Sequence, residues 1–136
     1  MKNGIFISIR GEHTDRIERL IKNYEFRNYI PKRSIDYLIV YETLPSSCIK
    51  YIIELGDIIK YPNKIDEDGY GNREFNKGLK TKYAYQIKHL YKLKEFIDLD
   101  ILKNKYKFTP PQGYAYFDKY INLYEDVFNM EMEKIF

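Results

Sequence analysis

Two long stretches, Ile49–Lys60 (IKYIIELGDIIK) and Tyr83–Leu93 (YAYQIKHLYKL), constrain the fold most. Both are dominated by β-branched and aromatic residues, and each reads as a single strand. Gly56 marks a bend or bulge in the first. In the second, Tyr83, Tyr85, Ile87, His89, Tyr91 and Leu93 share one face, and Gln86, Lys88 and Lys92 share the other. Shorter runs add to them. YLIVYE at 37–42 has the composition of a buried strand, and Ile5, Ile7 and Ile9 alternate with Phe6, Ser8 and Arg10. In YEFR at 24–27, Tyr24 and Phe26 point one way while Glu25 and Arg27 point the other. Strands and helices do not alternate regularly, which argues against a parallel doubly wound sheet. The expected fold is α+β but mainly β, a small mixed or antiparallel barrel flanked by helices.

Helical periods occupy the rest. Thr14 is placed to cap a short helix, with Asp15 in its first turn and Ile17, Leu20, Ile21 and Tyr24 forming its apolar stripe. IDLDILKNK at 97–105 suggests a helical turn, and FTPPQGYAYF is a proline-stiffened segment leading into a last strand. From Phe117 onward, Ile121, Tyr124, Phe128 and Ile135 keep helical spacing, which predicts a closing amphipathic helix over 118–136. That helix packs on the domain formed by 1–117 or on a partner. Residues 61–80 carry Pro62, Gly69, Gly71, Gly78 and many charges, leaving room for a short helix at most.

A length of 136 residues supports one core, and 44% apolar with 32% charged residues is a globular balance. No apolar run approaches the roughly 18 residues of a membrane span, and the N-terminus lacks the pattern of a signal peptide. Cys48 is the only cysteine, so an internal disulfide is excluded and a cytoplasmic location is the expectation. The net charge of +3 is mild, so an anionic partner requires the positive charge to be concentrated on one face. Fifteen tyrosines offer edge-packing rings or a stacking surface for bases.

Motifs for nucleotide cradles are missing, as is a nucleophile elbow. With one cysteine and only His13 and His89, a Cys/His zinc site has no basis, and neither a metal nor a cofactor is called for. His89 reads as a structural histidine and His13 as a loop residue beside a cap. What remains is LIKNYEFR at 20–27. Lys22 at the end of a helix meets the negative end of the helix dipole, a sufficient structural reason for it. Glu25 and Arg27 share a strand face; exposed, such a pair is worth about 0–1 kcal/mol. At a barrel mouth the same three charges become a receptor, with the carboxylate fixing the guanidinium and the lysine adding a point charge.

This segment resembles the G-x-K-x-x-E-x-R signature of the ASCH domain family, within the PUA-like superfamily. Lys22, Glu25 and Arg27 match its Lys, Glu and Arg, and Leu20 stands where the family usually has Gly. The ISI, YLIVYETLP, IKYIIELGDII and YAYQIKHL segments follow the family's order, and FTPPQGYAYF resembles a related PPQ-containing ending. The resemblance covers roughly 4–117. It implies a PUA-like barrel whose charged cleft is proposed for the family as an RNA-binding surface. Some members are amidohydrolases acting on an acylated cytidine, and others are reported to cut single-stranded RNA. In the amidohydrolase group a threonine stands at the position of Glu25.

The leading expectation is therefore an RNA-binding module, or one for a nucleotide-like anion. Lys22, Arg27, Lys32 and Arg33 hold phosphates, and Glu25 orients Arg27 or accepts from a base. Tyr41, Tyr114 or Tyr116 stacks on a base, and Gln112 reads a base edge. The alternative is a small hydrolase of a modified nucleoside or single-stranded RNA, with Lys22 and Glu25 as catalytic residues and Glu54 as another acid–base candidate. A second alternative is an interaction module that forms a homodimer through the C-terminal helix.

Overall fold

The two long runs pair with each other. In the computed structural model, which describes all 136 residues, β4 (Cys48–Lys60) and β5 (Tyr83–Asp98) form an antiparallel ladder from Cys48↔Asp98 to Lys60↔Tyr83. Around them lie β1 (Gly4–Ile9), α1 (Gly11–Glu18), β2 (Tyr24–Arg27), β3 (Tyr37–Glu42), α2 (Asn72–Asn76) and α3 (Leu99–Tyr106). The chain ends with β6 (Tyr114–Tyr116), a 3-10 turn (Phe117–Tyr120), α4 (Ile121–Asn129) and β7 (Met132–Lys134). The sheet order is β2-β5-β4-β3-β1-β6, with β7 also paired to β5. Only β1 and β3 run parallel; every other pair is antiparallel. The fold is α+β and mainly β, a sheet curled into a partial barrel.

The sheet is buried on both faces, which explains its near-continuous apolar runs. Ile5, Ile7, Leu38, Val40, Tyr51 and Ile53 enter one core cluster with Ile17 of α1. Their neighbours Phe6, Ile39 and Ile52 enter the other, beneath Leu102, Leu123 and Val127 of α3 and α4. Each of these fully buried apolar side chains contributes roughly 1.5–3 kcal/mol.

Several sequence expectations shift. Helix α1 begins at Gly11, so Thr14 lies inside it; its hydroxyl donates to the Gly11 carbonyl at 3.1 Å and to the Glu42 carboxylate instead of capping. The bend at Gly56 is present: pairing slips between Leu55 and Ile58, and a Cβ on Gly56 would lie 2.3 Å from Gln86 Oε1. Strand β5 does not keep one apolar face. Ladder partners pass from Glu54↔His89 to Leu55↔Ile87, so Lys88 is an extra residue and the inward side changes phase. Tyr85 and Ile87 point into the core before this bulge and Leu90 after it, leaving His89 half-exposed.

The C-terminal helix stops at Asn129. Met132 flanked by Glu131 and Glu133 is a period-two pattern, and this segment pairs with β5 through Tyr91↔Lys134 and Leu93↔Met132. Ile135, which fits the helical spacing by sequence, is therefore not helical; its amide donates to the Leu90 carbonyl at 2.8 Å. The apolar stripe of α4, Leu123, Tyr124 and Val127, is buried against the protein's own core. No helix is long and apolar enough to cross a membrane.

Candidate functional site

The end of α1 determines where Lys22 goes. The Ile21 amide donates to the Arg16 carbonyl at 2.9 Å and the Leu20 amide to the Ile17 carbonyl at 3.0 Å. This is a Schellman motif, whose left-handed position falls on Leu20 with φ 62°. The Lys22 amide also donates to Arg16 O, at 3.1 Å, so the chain folds back under the helix. Lys22 is thereby turned inward and is only 3% exposed.

Strand β2 supplies the other two charges of the signature. Glu25 accepts from Arg27 Nη2 at 2.7 Å and Nε at 3.0 Å, both on Oε2. Its other oxygen lies 3.4 Å from Lys22 Nζ but has no hydrogen-bond donor. Arg27 also closes the barrel. Its Nη2 donates to the Ser8 carbonyl on β1 at 2.9 Å, and Nη1 approaches the Tyr29 hydroxyl at 3.4 Å. Tyr29 in turn donates to the Gly113 carbonyl at 3.2 Å. Side chains, not a backbone ladder, thus join β2 to the β1–β6 side of the sheet.

The 61–80 segment forms a roof over this cluster. Tyr24 donates to Glu67, Asn23 donates to the Asp68 carbonyl, and the Tyr70 amide donates to the Ile21 carbonyl at 2.9 Å. Ile65 and Phe75 pack on Tyr24 and Ala84 as a small core of their own. Tyr70 becomes the hub of a cationic group: Arg16 lies 4.2 Å from its ring centroid, Lys80 5.3 Å and Lys22 5.8 Å. Lys22 and Lys80 also lie over Phe26, at 4.7 and 5.1 Å. The insert's acidic side chains, Asp66, Glu67, Asp68 and Glu74, line with Tyr70 a cavity of about 480 Å³ formed within the insert.

No family model matches the sequence, and no curated protein matches it. Solved structures do. The crystal structure of an ASCH protein from Zymomonas mobilis is similar with a TM-score of 0.68 at 22% identity, over 94% of this chain and 96% of that chain. A tyrosine-to-phenylalanine variant of that protein gives 0.68 at 21% identity, over 94% and 99%. A serine-to-alanine variant gives 0.62 at 22%, over 88% and 95%. The fold is that of an ASCH domain.

Within the ASCH fold, the charge balance at this site is uneven. Glu25 pairs with Lys22 and Arg27, while Arg16 and Lys80 gather with Lys22 around the Tyr70 ring. Burial lowers the pKa of Lys22, and Lys80 and Arg27 add to that against the opposing pull of Glu25. His13 responds to the same field: burial and Lys22 lower its pKa. Burial disfavours the charge of Arg27 as well, but Glu25 and Tyr29 outweigh it and raise its pKa. An anion entering here would relieve repulsion among the cations.

The remaining sequence candidates divide between nearby and distant positions. Tyr114 stacks on Tyr29 with centroids 5.2 Å apart, which links it to Arg27. Arg33 pairs with Asp118 at 3.0 Å and lies 3.9 Å over the Tyr116 ring, beyond Tyr114. Lys32 is exposed in a hollow of about 460 Å³ that also includes Gly56 and Asp57, away from the signature charges. Gln112 is exposed, following Pro111, whose carbonyl accepts from Ser8 Oγ at 2.7 Å. Two expectations fail. Tyr41 is 5% exposed and packed with Phe108, because a sheet covered on both faces leaves it no ligand side. Glu54 meets the Tyr37 hydroxyl at 3.5 Å on the middle strands and plays no part in the cluster.

The sequence reading missed Arg16, Tyr70, Lys80 and the placement of His13. His13 lies in α1, with Nδ1 3.5 Å from Arg16 Nη1 and its ring 5.9 Å from that of Tyr70. The one signal for Arg16 was its position in the last turn of the helix that precedes Lys22.

Proposed function

We propose that the protein binds single-stranded RNA, with a phosphate received between Arg16, Lys22 and Lys80 and a base near the Tyr29–Tyr114 stack. The observation that carries this reading is the local excess of positive charge: Lys22 and Arg27 divide one carboxylate, Glu25, and Arg16 and Lys80 join Lys22 at the Tyr70 ring with no carboxylate partner among the ion pairs. Arg16 is half-buried and Lys80 exposed, so both are reachable from solvent beside the buried Lys22, and phosphate suits guanidinium and ammonium groups in charge and geometry. Single strands fit such a site because their bases splay outward. Glu25 acts as the positioning residue, holding Arg27 in a forked pair.

Fluorescence anisotropy of a labelled single-stranded RNA oligomer, titrated across potassium chloride, tests this. Affinity should fall linearly on a log–log scale, and Arg16→Ala or Lys80→Ala should each reduce the salt slope by about 1. Binding that ignores salt, or slopes unchanged in both variants, contradicts the reading.

A second reading, hydrolysis of RNA or of a modified nucleoside, draws support from the depressed pKa of Lys22. Burial holds the proton of Lys22 less tightly than water does, a shift in the direction that a general base requires. Turnover lost in Lys22→Met but retained in Lys80→Ala is its expected signature.

A further inference from the structure

Leu20 occupies a backbone position that favours glycine. With φ 62° it fills the left-handed slot of the Schellman motif, where a Cβ is sterically penalised. Nothing inside the molecule compensates for this, because the side chain is 68% exposed. The next residue, Ile21, is 46% exposed, and Tyr70, whose amide is bonded to the Ile21 carbonyl, is 37% exposed. Three large apolar side chains therefore face solvent at the edge of the cationic cluster, one of them held in an unfavourable conformation. Neither local propensity nor core packing accounts for Leu20.

We propose that Leu20, with Ile21 and Tyr70, is the apolar wall against which the base of a bound nucleotide packs while its phosphate is held by Arg16, Lys22 and Lys80. This inference rests on the RNA-binding reading and adds a place for a second base of the strand, distinct from the one near the Tyr29–Tyr114 stack. The occupant follows from the neighbouring charge: a ligand reaching both the cations and the wall must be anionic at one end and flat and apolar at the other. A nucleotide has that division, and apolar side chains that cover a base face are a known means of holding one. Leu20 and Ile21 offer no side-chain hydrogen bonds, so their part of the wall favours larger bases over smaller ones without reading a sequence.

The test is Leu20→Gly, measured by thermal unfolding and by RNA anisotropy across salt. Release of the strained backbone should raise the melting temperature by about 2–6 °C. Removal of the wall should weaken RNA binding about three- to tenfold, a fraction of a full Leu burial, with the salt slope unchanged because no charge is removed. Leu20→Ala keeps the strain, so it should lose affinity similarly without the gain in melting temperature. Wild-type affinity in Leu20→Gly overturns the inference, and so does a fall in its melting temperature, which would mean that Leu20 packs within the molecule. If Leu20→Gly binds like wild type while Arg16→Ala weakens binding, only the wall is wrong. If the unmodified protein shows no salt-dependent RNA binding, the RNA reading fails and takes the wall with it.

Discussion

Two buried carboxylates flank helix α1 and behave differently. Glu42, 3% exposed, accepts from the Thr14 hydroxyl and from Lys50 at 3.3 Å. Beside it, Glu18 accepts from the Tyr51 hydroxyl and pairs with Lys92 at 3.1 Å. That side holds two carboxylates and two lysines. Burial opposes the charge on Glu42, yet hydrogen bonds from Ser46 and Thr14 and the charge of Lys50 lower its pKa. Across the helix, Glu25 is about as deeply buried at 5% exposed but has two cations to itself, Lys22 and Arg27, with Arg16 and Lys80 nearby at Tyr70, and one of its oxygens lacks a donor. The same ingredients thus give a balanced set of ion pairs in one place and an excess of cations in the other. The difference lies in charge balance, and depth of burial alone does not distinguish them.

Removing each carboxylate is the strongest way to break the comparison. Glu25→Ala leaves Lys22 and Arg27 buried without a counter-charge, so urea denaturation should show a loss of about 3–5 kcal/mol. Glu42→Ala should lose less, about 1–3 kcal/mol, because Lys50 is partly exposed and can reach water once its partner is gone. Equal losses would erase the distinction between the two sites.

Lys22→Met sharpens the contrast from the cationic side. Since burial lowers the pKa of Lys22, its charge is disfavoured in the folded state, and an apolar replacement of similar length should preserve or raise stability. RNA affinity should nevertheless fall about tenfold, near 1.4 kcal/mol. The folded pKa lies below the unfolded one, so the wild-type protein should gain stability relative to Lys22→Met as pH rises toward about 10.4. Denaturation of both proteins between pH 8 and pH 10, on the order of two units below that value, checks the sign.

His13 gives the smallest effect. Its pKa is lowered, so the unfolded chain takes up a proton before the folded one does, and stability should decline as pH falls below about 6.5. His13→Gln should flatten that decline by less than about 1 kcal/mol, measured as the difference between the two denaturation curves.

Much of this architecture is legible in the chain. Alternation and β-branched, aromatic composition locate β1 to β5. The change of period at Tyr24 puts Glu25 and Arg27 on one face, and the family resemblance, not the period, adds Lys22, which does lie beside Glu25. Misreadings arise where a local pattern meets a tertiary constraint. The extra residue at Lys88 changes the phase of β5, and the 130–136 tail joins the sheet although Ile135 fits a helical stripe. Tyr41 is drawn into the core because both faces of the sheet are covered. Half of the cationic group, Arg16 and Lys80, was not legible. Lys80 and Tyr70 come from an insert distant in sequence from Lys22, and only the docking of that insert through Asn23, Tyr24 and Ile21 brings them over the lysine. The left-handed backbone at Leu20 is a further feature that composition conceals and coordinates reveal.

The most direct test is an amide NMR titration of the isotope-labelled protein with a single-stranded RNA oligomer. The account predicts that shifts concentrate at residues 13–27 and 69–80, around Arg16, Lys22, Tyr70 and Lys80, and leave the amides near Glu42 and Lys50 in place. Shifts centred on Glu42 and Lys50, or no saturable shifts around Tyr70, would contradict it.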